Sequence, residues 1–541
     1  MFFCKQLAKS MITDVFGAII IVEVKKMKKK YGLFKVLSLL LLVCILVTYF
    51  IKGRQDTTSY LALGDVVLNY LQSFYYFFDT ALFIFVVGGF YGVLNKIPAY
   101  QEMLKRIAKR VEEKRLVFVI AITIIMALVA SLTGLDILLF LFVPMIISII
   151  LLLGYDKLVA LSSTVGSIIV GFIGGIFVTF KDPTSLYSIS YTTMDELVGL
   201  ESKFDNLLVR ILLLVLGVGL LIYNMISYIK KVETSSINYD IDSEDALLVL
   251  EKNNTKKGKK EVKDVRVWPL VLTLVLMFVI LVLGYLPIND LFEVDVFNKF
   301  HAWLLGLKVG DYLIFNNLIS SNLSAYGAFG TWGGFGNYMM AMLEVLFFTV
   351  ILALGCRIKF LSLGYKMKVD DLLDGFISGV KKMIPSVITV MLGYTLLVCV
   401  YNHGFVETII TMASESFGDN PVVHGLIALI GSVLHVDLYY TVSGVFMPII
   451  SSFSEAANLS VYSVMLSSLY GLVQLVGPTS IILVLCLTYL EVPYKTWLKY
   501  IWRFIVELLI VILLILIGIF LWPLFIELLV DIWTFIVGLF V

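Results

Sequence analysis

The sequence predicts an all-α polytopic membrane protein built from two inverted repeats, each with a re-entrant hairpin and a broken helix. Three observations lead there. The chain has 541 residues, of which 60% are hydrophobic and only 15% charged, with a mean hydropathy of +0.98. It contains a series of apolar stretches of the length that crosses a bilayer, about 20 residues at 1.5 Å rise. Two longer apolar regions carry the same short motifs in the same order.

Composition settles the solvent first. A soluble domain of this length needs more polar surface than this chain has, and lipid removes that requirement. A net charge of +1, with Lys and Arg gathered in loops rather than on one face, argues against a nucleic-acid partner. Cys4, Cys44, Cys356, Cys399 and Cys486 show no metal or disulfide spacing, and Cys44, Cys399 and Cys486 lie in apolar runs as small core residues. No nucleotide-binding loop, zinc motif or nucleophile elbow is present, so neither an enzyme nor an ATP-driven pump is expected. The first 26 residues lack a signal-peptide pattern, and Met27, before Lys28, Lys29 and Lys30, is an alternative start.

Clear spans are read at 32–51, 72–95, 207–229, 268–286, 337–356, 384–404 and 500–523. The regions 116–180 and 421–490 are interrupted by Gly, Pro, Ser and Thr. Basic loops stay in the cytoplasm. Lys25, Lys26 and Lys28 to Lys30 therefore place the N-terminus inside, as do the basic segments 96–115 and 230–267 for their loops. The segment 287–311, with Asp290, Glu293, Asp295 and Asp311, faces out. Region 116–180 must then cross a net single time. A re-entrant hairpin at 116–153 followed by a crossing at 157–180 satisfies this, and so do three full spans.

Four matches tie the two regions together. Ser131-Leu-Thr-Gly-Leu-Asp136 answers Ser432-Val-Leu-His-Val-Asp437. Val143-Pro144 answers Met447-Pro448, Ser162-Ser163 answers Ser467-Ser468, and Asp182-Pro183-Thr184-Ser185 answers Gly477-Pro478-Thr479-Ser480. The offsets for the last three are 304, 305 and 295 residues. One unmatched crossing, 268–286, lies between the copies and turns the second upside down. The expected layout is a cytoplasmic segment 1–31, a first repeat 32–229 and a charged cytoplasmic linker 230–267. A linking span with an extracytoplasmic segment, 268–336, leads to a second repeat 337–525 with its hairpin at 421–453, and a hydrophobic tail 526–541 follows.

Irregular backbone at membrane depth survives only where protein or a water-filled cavity satisfies it. Two hairpins meeting from opposite faces make such a place, suited to a small anionic or zwitterionic substrate. The expected substrate contacts are Thr133, Gly134, Asp136, Thr184, Ser185, His435, Asp437, Ser443, Gly477, Pro478, Thr479 and Ser480. Ser131, Gly171, Gly174, Ser432 and Thr479 are the expected ion contacts, with Gly175 and Gly471 allowing close approach. Ser and Thr hydroxyls both donate and accept. The plain alternative is that these small residues only let helices pack closely. An ionisable group at depth needs a reason, and Asp136 and Asp437 occupy matched turns. His435 suits proton work but is more often a satisfied structural residue. Asp79 and Glu344 are expected to be hydrogen-bonded within the bundle, and Glu507 to pair with Arg503 one turn away. Segments 96–115 and 366–382 read as amphipathic helices lying in the interface. Trp268, Trp303, Trp497, Trp502 and Trp522 lie near span ends, as in an aromatic belt.

The stretches Ser443-Gly-Val-Phe-Met-Pro-Ile-Ile450, Gly471-Leu-Val-Gln-Leu-Val-Gly-Pro-Thr-Ser480 and Val492-Pro-Tyr-Lys-Thr-Trp-Leu-Lys499 resemble the C4-dicarboxylate anaerobic carrier-like (YfcC-type) branch of the ion transporter superfamily. Phe83 through Lys96, and Pro144 through Gly154-Tyr155-Asp156, are similar to its first half. The resemblance covers most of 32–525. It implies a homodimeric secondary transporter of the bacterial cytoplasmic membrane, in which a hairpin-bearing domain moves elevator-fashion against a scaffold. It also implies coupling to Na⁺ or H⁺ or exchange, with no cofactor beyond a coupling Na⁺. The family's acidic pair in the first hairpin is Thr133-Gly134-Leu135-Asp136 here, and its Asn-Pro is Asp182-Pro183. Its Ser/Gly-rich second tip is Leu434-His-Val-Asp-Leu-Tyr-Tyr440. Substrates across the family include dicarboxylates, basic amino acids and peptide-like acids, so a small carboxylate or amino acid is expected. The alternative is a transport-inactive sensor or assembly partner of the same fold.

Overall fold

A computed structural model describes residues 32–52, 59–176, 179–180, 192–193, 206–234, 265–285, 294–314, 338–358, 361, 363–364, 366–418, 420–451 and 459–538. The segment 1–31, most of 230–267, and Asp182, Pro183, Thr184 and Ser185 lie outside them.

The described chain is helical apart from two antiparallel ribbons, in which Thr179 faces Thr193 and Lys308 faces Leu313. The first half runs α1 (Gly32–Lys52), α2 (Leu63–Tyr76), α3 (Phe78–Leu94), α4 (Pro98–Val111), α5 (Arg115–Thr133), α6 (Val143–Leu152), α7 (Lys157–Ile173) and α8 (Leu207–Thr234). Next come α9 (Trp268–Tyr285) and α10 (Val296–Leu305). The second half runs α11 (Tyr338–Gly355), α12 (Val369–His403), α13 (Phe405–Phe417), α14 (Pro421–Leu434), α15 (Leu438–Ile450), α16 (Leu459–Val476), α17 (Ile481–Tyr489) and α18 (Tyr494–Gly538). This is an all-α polytopic membrane protein. Phe50, Leu208 and Leu514 are 80%, 81% and 64% exposed on α1, α8 and α18, a cost only lipid removes.

Local chemistry sets the boundaries. Pro98 and Pro421 open α4 and α14 at positions where a missing N–H costs nothing. Asn420 accepts from the amides of Val422 and Val423, and Asp156 from Val159 N at 2.9 Å, capping α14 and α7. Gly404, at φ +61°, closes α12.

Three elements differ from expectation. The span 72–95 is not one helix, because α2 and α3 meet at Phe77 with a 64° bend. Apolar residues continue through the corner, so hydropathy does not register it. The ring of Phe77 stacks on Tyr394 at 3.8 Å and 11°, which anchors the corner in the core. The segment 366–382 is not a separate interfacial helix; it is the start of α12, which continues through Pro385 to His403. A change of side-chain polarity altered the surroundings without breaking the backbone. The crossing expected at 157–180 ends at Ile173, where Gly174 and Gly175 leave the helix. The tail at 526–541 continues α18 as far as Gly538.

Glycines bring the central helices together. Gly88 and Gly92 lie one turn apart on α3, and Gly375 and Gly379 one turn apart on α12. A Cβ on Gly92 would strike the Gly375 carbonyl, and one on Gly379 the Gly88 carbonyl. This is the small-xxx-small solution, which lets two backbones touch where lipid supplies no hydrophobic drive. Ser73 Oγ donates to Met391 O at 3.1 Å, and Lys96 Nζ to Asp371 O at 2.9 Å, fastening the same pair of chain regions. Gly171 brings α7 to 2.5 Å of Ala127 O on α5, measured from a Cβ built there, and Gly471 seats α16 on Ile173.

The order of elements recurs. Helix α5, a break at 134–136, α6, α7 and a break at 174–175 are followed much later by the same series. It reads α14, a break at 435–437, α15, α16 and a break at 477–480 before α17. Both α7 and α15 contain a π turn, Ser162–Gly166 and Val442–Phe446.

Candidate functional site

The two hairpin tips share an unusual backbone. Helix α5 ends at Gly134 with φ +67°, and after α14 Val436 adopts φ +67° as well. Glycine takes that conformation freely, whereas a β-branched residue there costs about 1–2 kcal/mol. Such strain persists only where the surroundings impose it, typically at functional turns.

Each tip then presents an aspartate. Asp136 accepts from Ile137 N at 2.5 Å, and Asp437 from Tyr440 N at 3.0 Å, so each caps the arm that leaves its tip. Capping alone accounts for an Asp at these positions. Their mutual placement goes further, because Asp437 lies close enough to feel the charge of both Asp136 and Asp79. Tyr394 feels all three, and Tyr470 feels Asp437 and Asp136. The two tips and the α2–α3 corner therefore face one region. Asp79, at that corner, accepts from Thr80 N at 2.7 Å.

The break at 477–480 joins the second tip. Thr479, 1% exposed, donates to Val433 O at 2.6 Å, and Gln474 donates to Val436 O at 3.0 Å. Gly477 and Pro478 form the turn, with Ser480 N donating back to Gly477 O at 3.2 Å. The hydroxyl of Ser480 is fully buried and has no hydrogen-bond partner among the described residues. A buried polar atom left unsatisfied is costly unless something else fills its demand.

The first tip is tied to its own break. Ser131 Oγ donates to Gly174 O at 2.7 Å and accepts from Ile176 N at 3.2 Å. Thr133 donates to Val129 O at 2.5 Å and accepts from Leu135 N. Gly174 sits where a Cβ would meet Leu214 at 2.5 Å, and Gly171 against α5, so both glycines serve close packing. Ser432 donates to Ala428 O inside α14. His435 Nδ1 lies 3.0 Å from Gly431 O, and Gly444 leaves room for its Nε2 edge. Ser443 is exposed and lies 3.0 Å from the Tyr401 hydroxyl.

Other residues at the site were hidden in apolar runs. Phe77, Tyr394, Tyr401 and Tyr440 ring the second tip, with Tyr401 5.5 Å and Phe77 5.7 Å from Tyr440. Arg210, 4% exposed, donates to Gly175 O at 3.2 Å and Ser463 Oγ at 2.8 Å, bracing the first break against α16. The only available signal for it was a lone charge in an apolar run. Of the other charges, Glu507 pairs with Arg503 at 2.8 Å as expected and also accepts from Asn224. Glu344 departs from expectation: its Oε1 is buried with no hydrogen-bond partner among the described residues, because its immediate neighbours on α11 are apolar.

Amide, hydroxyl and carboxylate groups converge beside aromatic faces at the second tip. Comparison with known proteins agrees with a carrier. A family model described as C4-dicarboxylate anaerobic carrier matches residues 9–520. A protein of Haemophilus influenzae described as an "Uncharacterized protein" is 25% identical over 195 residues, 35% of this chain and 34% of the relative. The match thus spans about a third of that relative's length. No solved structure matches.

Proposed function

This chain belongs to the C4-dicarboxylate anaerobic carrier family, and from that premise we propose that it moves a small carboxylate, in the first place a C4-dicarboxylate, across the cytoplasmic membrane with a coupling cation. The observation that carries the reading is the meeting of the two tips, with Asp437 within reach of the charge of both Asp136 and Asp79. A bare dianion would be repelled there. In a poorly hydrated site each carboxylate must be compensated by a proton, a cation or hydrogen bonds. Entry of substrate with Na⁺ or H⁺ resolves the conflict and links the two gradients. Thr479 and Ser480 supply hydroxyl contacts, and Tyr394, Tyr401 and Tyr440 cover the hydrocarbon between the carboxylates. A short amino acid satisfies the same groups.

The recurring order of elements fits two repeats of opposite orientation, with the N-terminus cytoplasmic and the site opened alternately to each side. The α3–α12 pair is the natural fixed body, and the hairpins with α7, α16 and α17 the moving one. A homodimer follows from the same family resemblance. Uptake of labelled succinate into proteoliposomes, with Na⁺ or H⁺ gradients imposed in turn, tests the proposal. Accumulation above equilibration with one gradient, abolished when it is collapsed, is the expected result. No gradient-driven uptake of any C4-dicarboxylate or short amino acid contradicts it.

A further inference from the structure

Each helix of the α3–α12 pair carries a tyrosine near its C-terminal end. Tyr91 lies three residues before the end of α3, and Tyr401 two residues before the end of α12. The helices cross in opposite directions, because Gly92 of α3 meets Gly375, and Gly88 meets Gly379 and Met383 further along α12. Tyr91 is therefore level with the start of α12. Tyr401 stands 22 residues beyond Gly379. At helical rise this is about 33 Å along the axis, roughly the thickness of a hydrocarbon core. The two rings thus mark opposite ends of the pair.

Each hydroxyl reaches the hairpin of its own half at a matched place. Tyr91 donates to Leu141 O at 2.6 Å, five residues after Asp136. Tyr401 lies 3.0 Å from Ser443 Oγ, six residues after Asp437. Ser443 Oγ donates to Tyr440 O at 3.3 Å, which leaves Tyr401 as the donor between the two hydroxyls. The tyrosines are 310 residues apart and their acceptors 302, close to the offsets that relate the two halves. Their surroundings differ. Tyr91 and Leu141 are 4% and 1% exposed, whereas Tyr401 is 51% exposed and Ser443 is exposed as well.

We propose that Tyr91 and Tyr401 are a matched pair of positioning residues, each of which latches one hairpin to the α3–α12 pair at one end of the molecule and so governs access to the tips from that side. Their part in a transport cycle rests on the carrier reading, while the latches themselves are defined by the hydrogen bonds. A tyrosine hydroxyl suits the task, since it makes a directional bond that breaks without leaving a charge behind. The bond at Tyr91 is dry, and no water replaces it as it breaks. The bond at Tyr401 is exchanged for one to water at little cost. The end that holds Tyr401 is therefore the readier to open.

Tyr91→Phe and Tyr401→Phe keep both rings and remove only the hydroxyls. Leu141→Cys and Val442→Cys place reporter thiols on the two arms, at positions 1% and 3% exposed. Phe142→Cys and Val445→Cys replace them if either does not fold. The wild-type protein, whose described cysteines are buried, is the blank. A maleimide is given access to both faces of the reconstituted membrane. Tyr91→Phe should speed modification of the first reporter about fivefold and leave the second unchanged. Tyr401→Phe should speed the second about twofold and leave the first unchanged. General loosening would quicken both reporters in either variant, and that result, or no change at either reporter, overturns the latches. Uptake of succinate is measured on the same preparation. Uptake with unmoved reporters leaves the carrier reading standing without the latches. Selective quickening, in a protein that takes up no C4-dicarboxylate or short amino acid, does the reverse.

Discussion

Val436 holds the same left-handed backbone at the second tip that Gly134 holds at the first. The two residues should respond to substitution with opposite signs. Gly134→Ala forces a Cβ into that conformation and should cost about 1–2 kcal/mol, whereas Val436→Gly releases a similar strain, less about 0.5–1 kcal/mol of chain entropy. Thermal unfolding in detergent should show a lower midpoint for the first and an unchanged or higher one for the second. Two losses of equal size contradict the strained-tip account. The aspartates beside these residues were legible in the sequence because a charge in an apolar run must be explained. The tyrosines were not, since Tyr394 and Tyr401 within α12 look like any core aromatic until the fold turns them toward the tips.

Among the elements, the α3–α12 crossing fixes the frame against which everything else is placed. Gly92→Leu or Gly379→Leu sets a side chain against a backbone carbonyl, an overpacking that costs about 1–3 kcal/mol or more. Gly219, with nothing within 4 Å of a built Cβ, accepts Leu without strain. Size-exclusion profiles and melting curves should separate the first two variants from Gly219→Leu; equal behaviour would mean the crossing is not tight. Span positions were readable because backbone in lipid must bond internally, which makes length and hydropathy sufficient. The bend at Phe77 was not, because it exchanges one helix for two without changing composition. The continuity of α12 through Pro385 was missed for the converse reason, since the change in polarity after residue 382 marks a change of surroundings and not of conformation.

At the scale of the whole molecule, the proposed function has two tips from distant parts of the chain contribute to one site. Sequence offsets suggested the pairing, and the structure adds that Asp136 and Asp437 lie within reach of each other's charge. Asparagine caps a helix about as well as aspartate, so Asp136→Asn and Asp437→Asn separate the structural role from the functional one. Both variants should melt near the wild type. The measurement is gradient-driven succinate uptake by each in proteoliposomes. If both tips hold substrate and its cation, each variant loses about 1.5–3 kcal/mol of charged hydrogen bonding, roughly 10- to 100-fold in apparent affinity. Uptake within twofold of the wild type in either folded variant would contradict a site shared between the two tips.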